Sequence, residues 1–192
     1  MRKIMSKEEE DKKKKRNQLI IGGILVFVMI ASTVGYAFQS QDTTNTNSGK
    51  INYNNYEFLN QNNLWYTIIG SYQFAFAYNP TQVEKIDSQI NLLSSYSAQP
   101  VYISSQSYDS ESEIYRNLDS IVLRRQYACL ENETCSDSSL PVKTCADNFI
   151  IIEESNSSEI IQRQNCVFIK GKFEDLPKIT DEFLFKILGI EK

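Results

Sequence analysis

The chain has 192 residues, of which 41% are hydrophobic and 23% charged, and its net charge is −4. This length accommodates one ordinary domain with accessory segments. Residues 1–17 carry a net charge of +4 and residues 18–192 a net charge of −8. The acidic main body argues against nucleic-acid binding, because phosphate contacts need clustered lysine and arginine. The sequence contains no histidine, which excludes Ser-His-Asp and Cys-His catalysis and histidine-ligated zinc.

An uncharged apolar segment follows the basic run at residues 12–16. Its centre, residues 19–38, reads LIIGGILVFVMIASTVGYAF. At about 1.5 Å per residue this segment matches the roughly 30 Å hydrocarbon core of a bilayer. We therefore predict a transmembrane signal anchor over residues 18–38 in the cell membrane, with residues 1–17 as a cytoplasmic tail and the rest of the chain outside. The alternative is a signal peptide that is cut after Ala37.

Small residues on the same segment predict a surface for weak homodimerisation. Gly22 and Gly23 are adjacent, and Ala31 and Gly35 are spaced by one helical turn. Small side chains at such positions let two membrane helices approach closely. The membrane and a second copy of this helix are therefore two expected partners.

Residues 39–56 are predicted to form a flexible polar stalk. The stretch QSQDTTNTNSGKINYNNY is rich in Asn, Thr and Ser and has one isoleucine. Such a segment cannot bury enough apolar surface to offset the entropy lost on ordering. Residues 57–192 then remain for one domain outside the membrane.

Strand-like runs open this domain. Residues 64–70 and 72–78 flank Gly70-Ser71, which is typical of a tight hairpin turn. Residues 100–104, PVYIS, predict a further short strand. We interpret the aromatic row on one face of the second run as a sheet face covered by a helix; the row comprises Tyr72, Phe74, Phe76 and Tyr78.

Two helices are predicted in the middle of the domain. The Asn-Pro pair at residues 79–80 is typical of a helix start and predicts a short helix to about Ile86. Ser110 and Glu113 form a capping box ahead of apolar residues at helical spacing, which predicts a helix over residues 111–129. Its inward face would consist of Ile114, Leu118, Ile121, Val122 and Ala128.

The C-terminal third predicts three strands and a helix. Residues 148–153 and 159–164 flank ESNSS as a hairpin, and residues 166–170 add a third strand. A last helix begins at residues 175–177 and ends at Gly189. The element order predicts an α+β fold, with two main helices on one face of a mainly antiparallel sheet, preceded by the single N-terminal transmembrane helix. The inward face of the last helix would consist of Leu176, Ile179, Phe183 and Ile187.

The four cysteines all lie in the predicted outer domain, at Cys129, Cys135, Cys145 and Cys166. An even number confined to an exported region is typical of disulfides. Three connectivities are open, and we favour Cys129–Cys135 with Cys145–Cys166, of which the second closes the longer loop and should contribute about 3 kcal/mol. A zinc site is the rival interpretation, but the C-x₅-C and C-x₂₀-C spacings match no zinc knuckle.

We expect no catalytic, cofactor-binding or metal-binding residue. The chain has no Walker A loop and no G-x-G-x-x-G motif. The adjacent acids at residues 153–154 and 181–182 could do acid–base chemistry, yet their positions are typical of solvated surface. Lys143 is a candidate for lysine chemistry. The sequons at Asn132 and Asn156 are candidate glycosylation sites in loops.

The segments PVKTCADNFIII, QNCVFIKG and DEFLFKILGI carry a resemblance to a known group of proteins. Residues 100–192, together with the anchor-and-stalk layout, resemble uncharacterised single-pass, membrane-anchored extracytoplasmic proteins of small-genome archaea. The resemblance implies an architecture and an extracytoplasmic location, and it transfers no activity or catalytic residue.

These observations lead to one main functional hypothesis and two alternatives. The main hypothesis is a membrane-anchored extracytoplasmic domain that binds a protein or another cell-surface ligand. The first alternative is a small cell-envelope enzyme that uses carboxylate or lysine chemistry, which would need acidic or basic groups converging in a pocket. The second is a structural subunit of a membrane complex. An exposed apolar patch would favour binding or assembly, and a deep polar pocket would favour the enzyme.

Overall fold

A computed structural model describes residues 15–29, 49–131, 135 and 137–191. The chain divides into two compact units, residues 1–46 and 47–192. In the first unit, residues 15–29 form helix α1, and every side chain of this helix is exposed. Among the residues that the structure describes, no helix is long and apolar enough to cross a membrane.

Part of the predicted N-terminal architecture lies outside the described residues. This applies to residues 30–38 of the predicted anchor and to residues 39–48 of the predicted stalk. Of the predicted homodimer surface, Gly22 and Gly23 lie in α1 with open space around their backbone. Ala31 and Gly35 lie outside the described residues.

The second unit begins with a four-stranded antiparallel meander in the order β1-β2-β3-β4. Its strands are β1 (Lys50–Tyr53), β2 (Tyr56–Gln61), β3 (Leu64–Ile69) and β4 (Tyr72–Phe76). The predicted hairpin between β3 and β4 is confirmed, and Gly70 in its turn has a φ of 62°. Of the predicted aromatic row, Phe74 and Phe76 are buried and Tyr72 is half-exposed. The helix-covered face is therefore confirmed at the end of β4 away from the turn.

The C-terminal end of the predicted stalk belongs to this meander, so the stalk prediction is wrong for residues 50–56. A short strand needs only alternate apolar residues to bury one face, and Ile51 and Tyr53 pack against the core in this way. Asn-Asn pairs at residues 54–55 and 62–63 form the two turns that flank β2, all with positive φ. Asparagine tolerates this backbone conformation, which two-residue hairpin turns require.

A mixed five-stranded sheet follows, in the order β10-β11-β9-β5-β6. Its strands are β5 (Pro100–Ser105), β6 (Arg124–Tyr127), β9 (Asn148–Glu154), β10 (Glu159–Arg163) and β11 (Cys166–Gly171), while β7 (Cys129–Leu130) pairs with β8 (Val142–Lys143). The helices are α2 (Tyr108–Leu118) and α3 (Leu176–Ile187). The α+β class is confirmed, with antiparallel pairing in the meander and between β10 and β11. The other pairs of the five-stranded sheet are parallel.

The predicted hairpin of the C-terminal third is wrong, because β9 and β10 both pair with β11, which lies between them. The loop at residues 155–158 crosses the end of β11, and the Ser155 N–H donates to the Gly171 carbonyl at 2.7 Å. Two strand spacings amount to about 10 Å, which four extended residues can span. A Cβ on Gly171 would lie 2.2 Å from Cδ1 of Ile179, so glycine at this position lets α3 pack closely on β11.

The predicted helix over residues 111–129 is also wrong in its bounds. Ser107, not Ser110, is the N-cap, because its side chain accepts from the Ser110 N–H. The helix ends at Leu118, and residues 124–127 form the exposed strand β6, which runs parallel to β5. A parallel pair needs a crossover, and α2 must stop early so that the chain can return to the sheet.

The short helix predicted after Asn79 is a single turn. The Asn79 side chain accepts from the Thr81 N–H at 2.8 Å, which closes the turn locally and competes with helix formation. Residues 84–92 then have no helix or strand structure. They run beside α3, where the Ile86 N–H donates to the Glu182 carboxylate at 3.4 Å.

The last helix is confirmed, from the residue after Asp175 to just before Gly189, and its predicted inward residues are buried. Helix α3 lies between the two sheets. On one side the ring of Phe185 is 4.6 Å from Phe76 and 6.0 Å from Phe58 of the meander. Both α2 and α3 pack on the same face of the five-stranded sheet, as predicted.

The opposite face of the five-stranded sheet holds a second apolar cluster. Tyr102, Phe149, Ile151 and Phe168 form its centre, with Cys166 beneath them. In β9 these residues alternate with Ile150 and Ile152 of the main core, so the strand is apolar on both faces. This pattern is typical of a central strand with parallel neighbours.

Candidate functional site

The candidate site is a cavity of about 680 Å³ at the end of α3, which we term the Lys85 cavity. It is lined by Lys85, by the residues of the β1–β2 turn and by the chain that follows α3. Gly189, with a φ of 71°, reverses the chain at the end of the helix, so that the next two N–H groups both donate to the carbonyl of Phe185. The lining residues are Asn54, Asn55, Tyr56, Lys85, Gly189, Ile190 and Glu191.

Glu191 is the most strongly held side chain of this cavity. One carboxylate oxygen lies 2.6 Å from the Lys85 ammonium, and the other accepts from the Tyr53 hydroxyl. The Glu191 side chain is only 5% exposed, whereas that of Lys85 is 66% exposed. Asn54 donates from its amide to the Ile190 carbonyl at 2.9 Å, which ties the hairpin turn to the chain after α3.

These contacts pair the Lys85 ammonium with the Glu191 carboxylate, so the two opposite charges cancel within the cavity. Hydrogen bonding to Glu191 and then to Tyr53 raises the pKa of Lys85. Burial, followed by the hydrogen bond to Glu191, raises the pKa of Tyr53. Lys85 therefore stays cationic at neutral pH, and the Tyr53 hydroxyl stays protonated and continues to donate.

A second carboxyl group, that of Glu182 on α3, lies close enough to Glu191 for their charges to interact. Burial raises its pKa to about 7, against the lowering effect of Lys186, whose ammonium lies 3.6 Å away. Glu191 raises this pKa further through its charge. A carboxyl group that titrates near neutral pH suits proton transfer, but the Glu182 side chain is 1% exposed and does not line the cavity. Its position supports a structural role.

The prediction that the acids at residues 181–182 lie on a solvated surface is wrong, since both are buried. Asp181 accepts from the Tyr78 N–H at 2.9 Å, just beyond the end of β4. Burial, and then the charge of the nearby Glu113, raise the pKa of Asp181 well above its usual value. Glu113 in turn holds Arg116 through contacts of 2.7 and 2.8 Å. The prediction is wrong because α2 and the chain just beyond β4 cover the polar face of α3 that carries Asp181.

Replacing Asp181 by asparagine should make the protein less sensitive to high pH. Folding raises the pKa of Asp181, so its protonated carboxyl group favours the folded state. This contribution to the unfolding free energy is complete below the pKa of about 3.9 in the unfolded chain and is lost as the pH rises through the folded pKa. Asparagine cannot ionise, yet its oxygen can accept from Tyr78 and its amide can donate to Glu113. We expect Asp181→Asn to be at least as stable as the wild type at pH 8, as measured by urea unfolding at pH 4, 6 and 8.

Asp175→Asn is the matched control, because Asp175 lies at the start of the same helix and is 41% exposed in its pair with Lys178. This variant should keep the wild-type dependence of stability on pH. If Asp181→Asn lost several kcal/mol at pH 8 and kept the wild-type slope, Asp181 would be ionised in the folded protein.

The other candidate residues for chemistry are not brought together. The Lys143 ammonium lies 4.3 Å from the ring centroid of Tyr102, and the hydrogen bond to Tyr102 raises its pKa. A nucleophilic lysine needs a lowered pKa, so this environment disfavours Lys143 as a catalytic group. Glu153 forms an ion pair with Lys170 at 2.5 Å and Glu154 is exposed, both at the C-terminal end of the central strand β9.

The cysteines form the two favoured disulfides, Cys129–Cys135 and Cys145–Cys166. All four sulfurs are thereby engaged, so the zinc interpretation is wrong. The sequon residue Asn156 is exposed on the loop that crosses β11. Asn132 lies outside the described residues.

Sequence reasoning missed the Lys85 cavity because it placed all seven of its residues in a stalk, a helix or a chain end. One signal was present: the Asn-Asn pairs at residues 54–55 and 62–63, eight residues apart, are typical of two consecutive hairpin turns. The pairing of Lys85 with Glu191 had no signal, because the two residues are distant in sequence and Lys85 lies in a segment without helix or strand structure.

Comparison of the chain with protein-family models, with curated proteins and with solved structures returned no match. The resemblance to archaeal membrane-anchored proteins therefore stays a prediction.

Proposed function

We propose that the protein is a membrane-anchored extracytoplasmic binding protein whose ligand occupies the Lys85 cavity. Residues 18–38 would be the anchor, residues 1–17 the cytoplasmic tail, and the C-terminal unit the binding domain. The observation that carries the binding function is the cavity itself. Its volume of about 680 Å³ lies within the range of small-molecule sites, and it presents an ammonium, a carboxylate and amide groups together.

Two observations support the proposed location. The helical part of the anchor segment, residues 19–29 within α1, exposes apolar side chains all round, which fits a lipid environment. Both disulfides lie in the C-terminal unit, and such bonds persist in oxidising compartments outside the cytoplasm. The basic run at residues 12–16 then favours a cytoplasmic N-terminus.

The proposal is tested by photo-crosslinking from inside the Lys85 cavity. Tyr56, a cavity residue, is replaced by p-azidophenylalanine in the full chain, and the protein is irradiated in its native membrane. We expect a light-dependent adduct on the C-terminal unit, visible as a mass shift of its peptides. Protease added outside the same cells should degrade this unit and leave residues 1–17 protected.

The matched control places the same photo-crosslinker at Tyr72. This tyrosine is 46% exposed on the meander and does not line the cavity. The proposal requires an adduct at position 56 that is absent, or clearly weaker, at position 72. Equal adducts at both positions, or none at position 56, would contradict a ligand site in the cavity. Protection of the C-terminal unit from external protease would contradict the proposed location.

A further inference from the structure

The remaining hydrogen-bonding capacity of the side chains that line the Lys85 cavity indicates the chemistry of its ligand. Glu191 uses one carboxylate oxygen for Lys85 and the other for Tyr53, which leaves lone pairs on both. Lys85 has three donors, which it shares with Glu191 and Tyr53, and its side chain is largely exposed. Asn55, exposed in the turn, adds an amide with both donor and acceptor capacity. The lining of the cavity therefore presents both donors and acceptors within one small volume.

The charge balance of the lining argues for a neutral ligand. Lys85 and Glu191 neutralise one another across 2.6 Å, and the other lining side chains, Asn54, Asn55 and Tyr56, carry no charge at neutral pH. An anionic ligand at Lys85 would lie beside the Glu191 carboxylate, a cationic one at Glu191 would lie beside the Lys85 ammonium, and each would have to weaken the pair to relieve the repulsion. Because the Glu191 side chain is buried, breaking that pair would leave a carboxylate without a cation and be costly.

Hydroxyl groups meet both requirements, since each one donates and accepts without carrying charge. We propose that the Lys85 cavity binds a neutral sugar, held by hydroxyl contacts to Glu191, Lys85 and Asn55 and bordered by the half-buried Tyr56. This inference rests on the proposed binding function and names its ligand class. A neutral sugar of this kind is available both as a free oligosaccharide and as the headgroup of a glycolipid.

Binding is measured with the full chain in nanodiscs. Saturation-transfer NMR and calorimetry are run with neutral oligosaccharides, with acidic oligosaccharides of equal length, and with nanodiscs that contain a neutral glycolipid. We expect binding of neutral sugars and weaker or absent binding of acidic ones. Binding only in the glycolipid nanodiscs would assign the sugar to a lipid headgroup, and binding of soluble sugars would assign it to a free or protein-linked glycan.

The chain offers a closely matched pair of variants. Asn55 and Asn63 each occupy the second position of an Asn-Asn hairpin turn, with φ of 68° and 64°, and only Asn55 lines the cavity. Glycine tolerates this conformation, so both Asn55→Gly and Asn63→Gly should fold. We expect Asn55→Gly to weaken sugar binding about tenfold through lost hydrogen bonds. Asn63→Gly should bind with wild-type affinity.

The outcomes separate this inference from the proposed function. If an adduct forms at position 56 but neutral sugars fail to bind at millimolar concentration, the sugar assignment is wrong and the binding function stands. Acidic sugars that bind as tightly as neutral ones would also overturn it, as would an equal loss of binding in Asn55→Gly and Asn63→Gly. If no adduct forms at position 56, both the proposed binding function and the sugar assignment are wrong.

Discussion

The full chain carrying Cys145→Ala and Cys166→Ala together should lose about 3 kcal/mol of unfolding free energy. This disulfide links residues separated by 21 positions, and its removal frees the unfolded chain to adopt many more conformations. Cys166 is fully buried beneath the second apolar cluster, and Asn165 donates from its N–H to the Cys145 carbonyl at 3.0 Å. These native contacts can persist without the covalent bond, so the loss should arise mainly in the unfolded state.

Urea titration measures this effect, with the fluorescence of Trp65 as the probe. Trp65 is the single tryptophan of the chain and lies in β3, packed against the main core. The control is Cys129→Ala with Cys135→Ala, which opens a loop of only 6 positions and should cost about 2 kcal/mol. A larger loss from the shorter bridge would show that local packing around Cys129, and not loop closure, sets the contribution of these disulfides.

Replacing Asn117 by leucine should lower the unfolding free energy by about 2–4 kcal/mol, because it leaves two buried backbone groups without partners. The Asn117 amide accepts from the Ala75 N–H and donates to the Ala75 carbonyl, both at 2.8 Å. Ala75 lies on β4, the last strand of the meander, so Asn117 of α2 takes the place that a further strand would occupy. Leucine has the same number and branching of side-chain heavy atoms but no polar atoms.

Trp65 fluorescence in urea also measures this variant. Ser120→Leu introduces the same side chain at an exposed position just beyond α2 and should change the stability by less than about 0.5 kcal/mol. Asn117→Asp keeps an oxygen that accepts from the Ala75 N–H. It also places a carboxylate oxygen against the Ala75 carbonyl in place of the amide donor, so this variant should also be less stable than the wild type. A leucine variant as stable as the wild type would mean that the edge of β4 is open to water.

Several elements follow from short stretches of sequence because local chemistry decides them. Glycine at position 70 permits the positive φ of a two-residue turn, which produces the β3–β4 hairpin. Pro177 in the first turn and Gly189 after the end delimit α3, because the fixed φ of proline suits a helix start and glycine permits the positive φ at a helix end. For the cysteines the sequence left three connectivities open, and the structure confirms the favoured one, in which each bridge joins neighbours along the chain.

The candidate site depended on contacts that no local pattern reports. Lys85 and Glu191 meet because the segment after β4 runs beside α3 without forming a helix of its own. A helix with polar residues on one face usually presents that face to water, so the sequence pattern predicts a solvated Asp181. Here α2 and the chain just beyond β4 cover it, and the carboxyl group of Asp181 accepts from the Tyr78 N–H.

The sequence by itself determined the α+β class, the β3–β4 hairpin and the last helix, because these depend on turns, caps and spacings within a few tens of residues. Only the tertiary structure decided that β11 lies between β9 and β10, that α2 ends where β6 begins, and that polar side chains of α2 and α3 become buried. These outcomes depend on which surfaces meet. Burial of apolar area is non-directional and does not specify which elements meet, so the partner of each face is chosen by the packing of the whole domain.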